Sequence, residues 1–273
     1  MALDKGFGKY LTFGLRNEWL FSFLNDPHNY LSTNNLGNKQ VDSLKAWLKD
    51  SGLLNTKLEH TKLCKTFIEL VKPENESAIY EKFDDILIWG IIWNNLYYNS
   101  PLINFYLENF KWNSSFSKSE FETAIKSKYN EISERTIQGG INSFLNLTEN
   151  SPLSSKLRFA VLEKDGNKIK KIKKIGSDEI HPKVIAYSLY KYAREKGHNN
   201  ITVSELYFEN VNGGPAKIFG LNKKNLELFL RWLQERDILK ADLIAGLDNI
   251  NLKTLNEEEL IDLLFKTKNQ SEM

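Results

Sequence analysis

The stretch Ile86-Leu87-Ile88-Trp89-Gly90-Ile91-Ile92-Trp93-Asn94-Asn95-Leu96-Tyr97-Tyr98 decides the fold. Its apolar residues surround a helix on nearly all sides instead of forming one stripe, so that helix is buried among others. The spacing predicts a helix over 78–99. The run is too short to span a bilayer and contains Asn94 and Asn95. Its Trp and Tyr residues read as core, not as a base-stacking surface.

Around this centre the chain reads as mostly helical. Upstream, Trp19, Leu20, Phe23 and Leu24 mark a short amphipathic helix. Asn38 reads as the N-cap of the next, with Val41, Leu44, Trp47 and Leu48 on one face and Gly52 at its end. Lys57 to Val71 predicts a further helix, broken at Pro73. Pro101 opens another at the position where its missing N–H costs nothing. Ser117-Lys118-Ser119-Glu120 is a capping box. Ser133 caps the helix carrying Ile137, Ile141, Phe144 and Leu145. Gly139-Gly140 lies inside that helix, so either the helix breaks there or something approaches its backbone closely.

The pattern then switches. Leu157 to Glu163 favours strand, Asp165-Gly166 signals a hairpin turn, and Lys168 to Ile175 runs back. Residues 156–175 hold eight basic and two acidic side chains. Pro182, Val203 and Asn222 start further helices. A hairpin is expected around Gly246, and an acidic helix over 256–266. The predicted fold is mainly α with small β-hairpins (α+β), as several winged-helix or helix-turn-helix units on the central buried helix. Three domains follow: 1–72, N-terminal and winged-helix-like; 73–150, helical with a second helix-turn-helix; and 151–273, the basic hairpin plus a C-terminal winged-helix-like unit.

Composition narrows the chemistry. The 273 residues carry 37 Lys and Arg against 35 Asp and Glu, a formal charge of +2, so bulk charge names no partner. One cysteine excludes a disulfide framework and any Cys-based zinc site. The N-terminus lacks an apolar leader, which predicts a cytoplasmic protein without membrane association. There is no phosphate-binding Gly-rich loop. The four histidines show no ligand spacing, and no Asp or Glu is followed two positions on by Lys, the usual nuclease spacing. Asp84-Asp85 is the best adjacent acidic pair, but helix neighbours point about 100° apart. No cofactor or metal is therefore expected, and these patterns assign no catalytic residue. The candidate DNA contacts are Lys39, Gln40 and Lys45 on the first recognition-type helix and Arg135 at the start of the second. The hairpin adds Lys168, Lys170, Lys171, Lys173 and Lys174, and Lys217 lies beside the Gly213-Gly214 loop.

Several strings resemble the bacterial domain of unknown function 4007, a family of DNA phosphorothioation-linked phage-defence loci. They are Phe7-Gly8-Lys9-Tyr10-Leu11-Thr12-Phe13-Gly14-Leu15-Arg16 with Trp19-Leu20, Leu36-Gly37-Asn38-Lys39-Gln40-Val41 with Trp47-Leu48, Leu87 to Trp93, Arg135-Thr136-Ile137 with Phe144-Leu145, and Gly214-Pro215-Ala216-Lys217-Ile218-Phe219 with Leu221. The similarity runs along nearly the whole chain. It implies a component that binds double-stranded DNA and nicks or handles one strand, beside a co-encoded ATPase and sulfur-transfer enzymes. The family's opening His-Glu stands here as Tyr10-Leu11, and its central-helix histidine as Ile92, so chemistry tied to those positions is missing from this chain. The competing expectation is a non-catalytic adaptor that docks partner proteins through its winged-helix units. Low net charge and scarce Arg, six in all, favour it.

Overall fold

The structure is a computed structural model that describes residues 3–72, 85–176, 179–208, 210–243 and 248–265. The described residues fall into two compact units, 1–179 and 180–273.

The first unit begins with α1 (Leu3–Gly8), α2 (Asn17–Asn25), α3 (Tyr30–Thr33), α4 (Asn38–Asp50) and α5 (Lys62–Val71). Then follow α6 (Asp85–Asn99), α7 (Pro101–Asn109), β1 (Ser114–Phe116), α8 (Lys118–Lys128), α9 (Glu134–Glu149), α10 (Pro152–Ser155), β2 (Val161–Asp165) and β3 (Lys168–Lys174). The central helix is α6. Every residue from Leu87 to Tyr97 is buried, as the all-round apolar pattern requires. The part of its expected span before Asp85, including Asp84, lies outside the described residues. Trp89 donates from its indole to Asn17 Oδ1 at 2.7 Å, so even its polar edge is satisfied internally.

Local chemistry sets the helix starts. The Ser117 hydroxyl accepts from Glu120 N–H at 3.2 Å and the Glu120 carboxylate accepts from Ser117 N–H at 2.6 Å, the reciprocal bonds of a capping box. Ser133 caps α9 through Thr136 N–H at 3.2 Å. At α4 the cap is Gly37, not Asn38. Gln40 Oε1 accepts from Gly37 N–H at 3.0 Å, and Asn38 becomes the first helical residue. No sheet follows α4 among the described residues. The chain makes a single bridge, Leu54 to His60, where a winged-helix layout was expected.

β1, β3 and β2 form an antiparallel sheet in that order. Ser114 pairs with Lys174, and Asp165 with Lys168 across a Gly166-Asn167 turn. Gly166 takes φ +57°, a conformation that a Cβ would penalise. The basic hairpin is thereby tied to the segment before α8. Aromatic side chains weld this part together: Tyr106 and Phe144 lie 4.6 Å apart, and Phe110 stacks on Phe116 at 3.7 Å. α9 runs unbroken through Gly139-Gly140. The reason is close approach: a Cβ on Gly140 would stand 3.0 Å from the Phe7 carbonyl, and one on Gly139 3.1 Å from that of Leu11.

The second unit comprises α11 (Pro182–Lys196), β4 (Asn200–Thr202), a 3-10 turn (Ser204–Tyr207), α12 (Gly214–Phe219), α13 (Lys223–Glu235), β5 (Leu239–Asp242), β6 (Asn249–Leu252) and α14 (Glu257–Phe265). Its sheet order is β4-β6-β5. Gly246, expected at a hairpin turn, lies outside the described residues, as do 266–273. The sequence helix–strand–helix–helix–strand–strand, with the first strand beside the last, thus occurs in each unit. In the first it is α7-β1-α8-α9-β2-β3, with α10 inserted before β2. In the second it is α11-β4-α12-α13-β5-β6, with the 3-10 turn after β4. The fold is mainly helical with two small antiparallel sheets, as expected. No helix of the described residues is long and apolar enough to cross a membrane.

Candidate nucleic-acid interface

The hairpin does not present all its lysines to solvent. Lys174 is fully buried. Its ammonium donates to the carbonyls of Leu107 at 2.9 Å and Phe110 at 2.6 Å, at the C-terminal end of α7, and sits 4.5 Å from the Trp112 ring centre. It neutralises the negative end of a helix and is withdrawn from the DNA-contact set. Strand alternation hid this. The local Lys-rich pattern cannot show that β1 pairs along β3 or that the end of α7 receives the Lys174 ammonium.

Two further hairpin lysines are ion-paired at the surface, Lys170 with Asp165 at 2.7 Å and Lys173 with Glu163. Lys164 pairs with Glu149, and Lys156 with Asp85 at 2.6 Å. Exposed pairs of this kind contribute little and are readily exchanged for phosphate. Lys168 and Lys171 are exposed and have no ion-pair partner among the described residues. The exposed charge of residues 156–175 without an ion-pair partner among the described residues is therefore at Lys168 and Lys171 on the hairpin and at Arg158 before it.

Arg135 is exposed in the first turn of α9. At about 100° per residue, Arg135, Gln138, Asn142, Asn146 and Glu149 share one stripe of that helix. None of the five is buried. The neighbouring face, with Gly139, Ser143 and Leu147, is covered by the chain's own residues 7–14. The C-terminal half of the stripe and the hairpin turn enclose a groove of about 430 Å³, lined by Lys118, Asn142, Leu145, Asn146, Glu149, Asn167, Lys168 and Ile169. Sequence reading missed Lys118, Asn142, Asn146 and Asn167. Lys118 stood in a recognised capping box and Asn142 at helical spacing from Arg135, but only the turn of the hairpin brings them together.

The remaining candidates are scattered. Lys39 is exposed in the first turn of α4. Gln40 spends its carbonyl on the Gly37 cap and does not have that atom free to read a base. Lys45 lines a separate groove of about 310 Å³ with Leu31, Leu36, Val41 and Asp42. Lys217 is half-buried on α12 in the second unit. On α13 of that unit, Lys223, Lys224 and Arg231 are exposed, but so is Leu228 at 59%, and Phe208 before α12 is 63% exposed.

Several other polar side chains have structural surroundings. Cys64 is buried, and burial pushes its thiol up to about 12. His28 and His60, far apart in sequence, lie with ring centres 5.3 Å apart, and His60 Nε2 is 3.1 Å from the Pro27 carbonyl. Tyr10 is fully buried, stacked on Trp47 at 3.6 Å, and donates to the Asp50 carboxylate. Among the described residues no three His, Cys, Asp or Glu side chains form a group fit to hold a metal.

No protein-family model matches the chain, so the likeness to domain of unknown function 4007 rests on its short motifs. No curated protein matches it in sequence. Two solved structures share its fold. One is a crystal structure of SspB with magnesium ion bound, at TM-score 0.67 and 12% identity, covering 96% of this chain and 89% of that one. The other is a second SspB crystal structure, at TM-score 0.67 and 13% identity with the same coverage. At that identity the likeness establishes the fold: this chain is built on the SspB fold along nearly its whole length.

Proposed function

We propose that this chain is a DNA-binding component of a bacterial phosphorothioation-linked phage-defence system and that it grips duplex phosphates through its first unit. The observation that carries this is the α7-β1-α8-α9-β2-β3 module. Its strand order is that of a winged helix, its wing is the lysine hairpin, and its third helix, α9, presents the open stripe led by Arg135. Lys168, Lys171 and Arg135 are its phosphate contacts. Lys170 and Lys173 add to them by exchanging their carboxylate partners. The defence-system context rests on two further supports, the short-motif resemblance and the SspB fold. No catalytic residue is assigned.

Fluorescence anisotropy with a labelled duplex at low salt tests the proposal. The combined Lys168→Glu, Lys171→Glu and Arg135→Glu variant should lose about a hundredfold in affinity, the expectation for several lost phosphate contacts. Unchanged affinity in a folded variant would remove the interface.

A second reading has its own observation. The second unit repeats the same strand order, yet its α13 places an exposed leucine, Leu228, where a base-reading side chain belongs, and Phe208 is exposed as well. That surface suits docking of a partner protein such as a co-encoded ATPase or sulfur-transfer enzyme. Pull-down with each co-encoded protein, and its loss in Leu228→Asp, tests this adaptor role.

A further inference from the structure

The groove between α9 and the hairpin turn holds more than a phosphate needs. Its volume of about 430 Å³ lies in the range of small-molecule sites. Leu145 and Ile169 give it an apolar floor. Lys118 and Lys168 supply two ammonium groups, and Glu149 is already neutralised by Lys164. The amides are poised as donors. Asn142 Oδ1 accepts from Lys118 Nζ at 2.7 Å, and Asn146 Oδ1 accepts from Gly14 N–H at 3.2 Å. The NH2 group of each makes no hydrogen bond among the described residues, and the exposed Asn167 side chain makes none either.

From this set we infer that the groove binds one unpaired nucleotide of a DNA strand. Lys118 and Lys168 hold its phosphate, the base lies on Leu145 and Ile169, and the amides of Asn142, Asn146 and Asn167 meet the base edge. Apolar side chains accept any base face, while the unengaged amide NH2 groups and the Asn167 amide offer hydrogen bonds that base edges match. A base inside an intact duplex keeps its faces stacked and its pairing edge occupied, so it cannot enter without being extruded. The site therefore selects unpaired strand over duplex. This inference rests on the DNA-binding reading above and adds the substrate form.

The test compares two fluorescein-labelled probes on the full chain by anisotropy, a single-stranded oligodeoxynucleotide of about 12 nucleotides and the corresponding duplex. Wild-type protein should bind the single strand about tenfold tighter. The Asn142→Ala/Asn167→Ala double variant should lose that preference and keep its duplex affinity within about twofold, because its phosphate-contacting lysines are untouched. If thermal melting shows that the double variant does not fold, Asn167→Ala alone, at an exposed turn, should reduce the preference about threefold. Equal binding of the two probes by wild type overturns the inference, and so does a preference that survives the amide variants. Either result leaves the DNA-binding reading in place if the duplex is still bound. Binding of neither probe overturns both. Tighter binding of an RNA oligomer of the same sequence overturns the assignment to DNA.

Discussion

Gly14 lies directly on the backbone of Leu147: a Cβ at position 14 would overlap the Leu147 nitrogen and α-carbon. This contact clamps the N-terminal segment onto α9, beside the stripe that faces the groove. Asn146 reinforces it by accepting from the Gly14 N–H. Gly14→Ala is therefore expected to destabilise the protein by about 3 kcal/mol through overpacking against main chain that cannot yield. That corresponds to a fall of roughly 6–12 °C in Tm. Glycines inside α9 should also behave abnormally. Gly to Ala in a helix ordinarily stabilises by roughly 0.5–1 kcal/mol, but the Phe7 carbonyl stands 3.0 Å from a Cβ on Gly140. Gly140→Ala should show a lowered Tm. A raised Tm for either variant would show that the N-terminal segment does not sit on α9.

Lys174 and Lys168 lie on one strand and should behave oppositely. Lys174→Met removes a buried ammonium from two carbonyls and is expected to cost about 3 kcal/mol of stability. The fraction that folds should bind duplex as wild type does. Lys168→Ala should leave the urea midpoint unchanged and weaken duplex binding. Equal effects of the two variants on DNA affinity would contradict the burial of Lys174.

Much of this was legible in the sequence. The all-round apolar pattern of 86–98 gave a buried helix, and Ser117, Ser133 and Pro101 marked helix starts that the structure keeps. Gly139-Gly140 left a helix break and a close approach open; the approach is what the structure shows, and nothing local named Phe7 and Leu11 as the neighbours. The basic run 168–174 was recognised as a hairpin arm. Its pairing with Ser114–Phe116 is a long-range contact, and that pairing decides which lysines face water. The groove was illegible for the same reason, because its lining comes from three separate segments, the start of α8, the C-terminal half of α9 and the hairpin turn.

Asp50 gives a pH signature. Burial raises its carboxyl above the usual value of 3.8, outweighing the favourable Lys9 ammonium. A carboxyl with a raised folded pKa holds its proton more tightly in the folded chain. It favours folding at low pH, and that contribution is lost as pH rises from 3.8 through the raised folded value. Asp50→Asn cannot titrate. The urea midpoint of wild type relative to Asp50→Asn should therefore decline as pH rises across that window. A difference that stays flat or increases would contradict the burial of this carboxyl.

Cys64 should be inert in the folded protein. With its thiol pushed up to about 12, little thiolate exists at pH 8 and the buried sulfur has no access to reagent. Alkylation by iodoacetamide should be at least about a hundredfold slower in native protein than in urea. Comparable rates would place the thiol at the surface.

The central claim is that duplex phosphates are gripped by the exposed hairpin lysines, and the salt dependence of binding tests it most directly. Each lost phosphate contact reduces the slope of log K against log salt by about 0.9. Lys168→Ala/Lys171→Ala should therefore show a slope about 1.8 shallower than wild type, with weaker binding at low salt. An identical slope in wild type and the double variant would show that these two lysines touch no phosphate and would contradict the account.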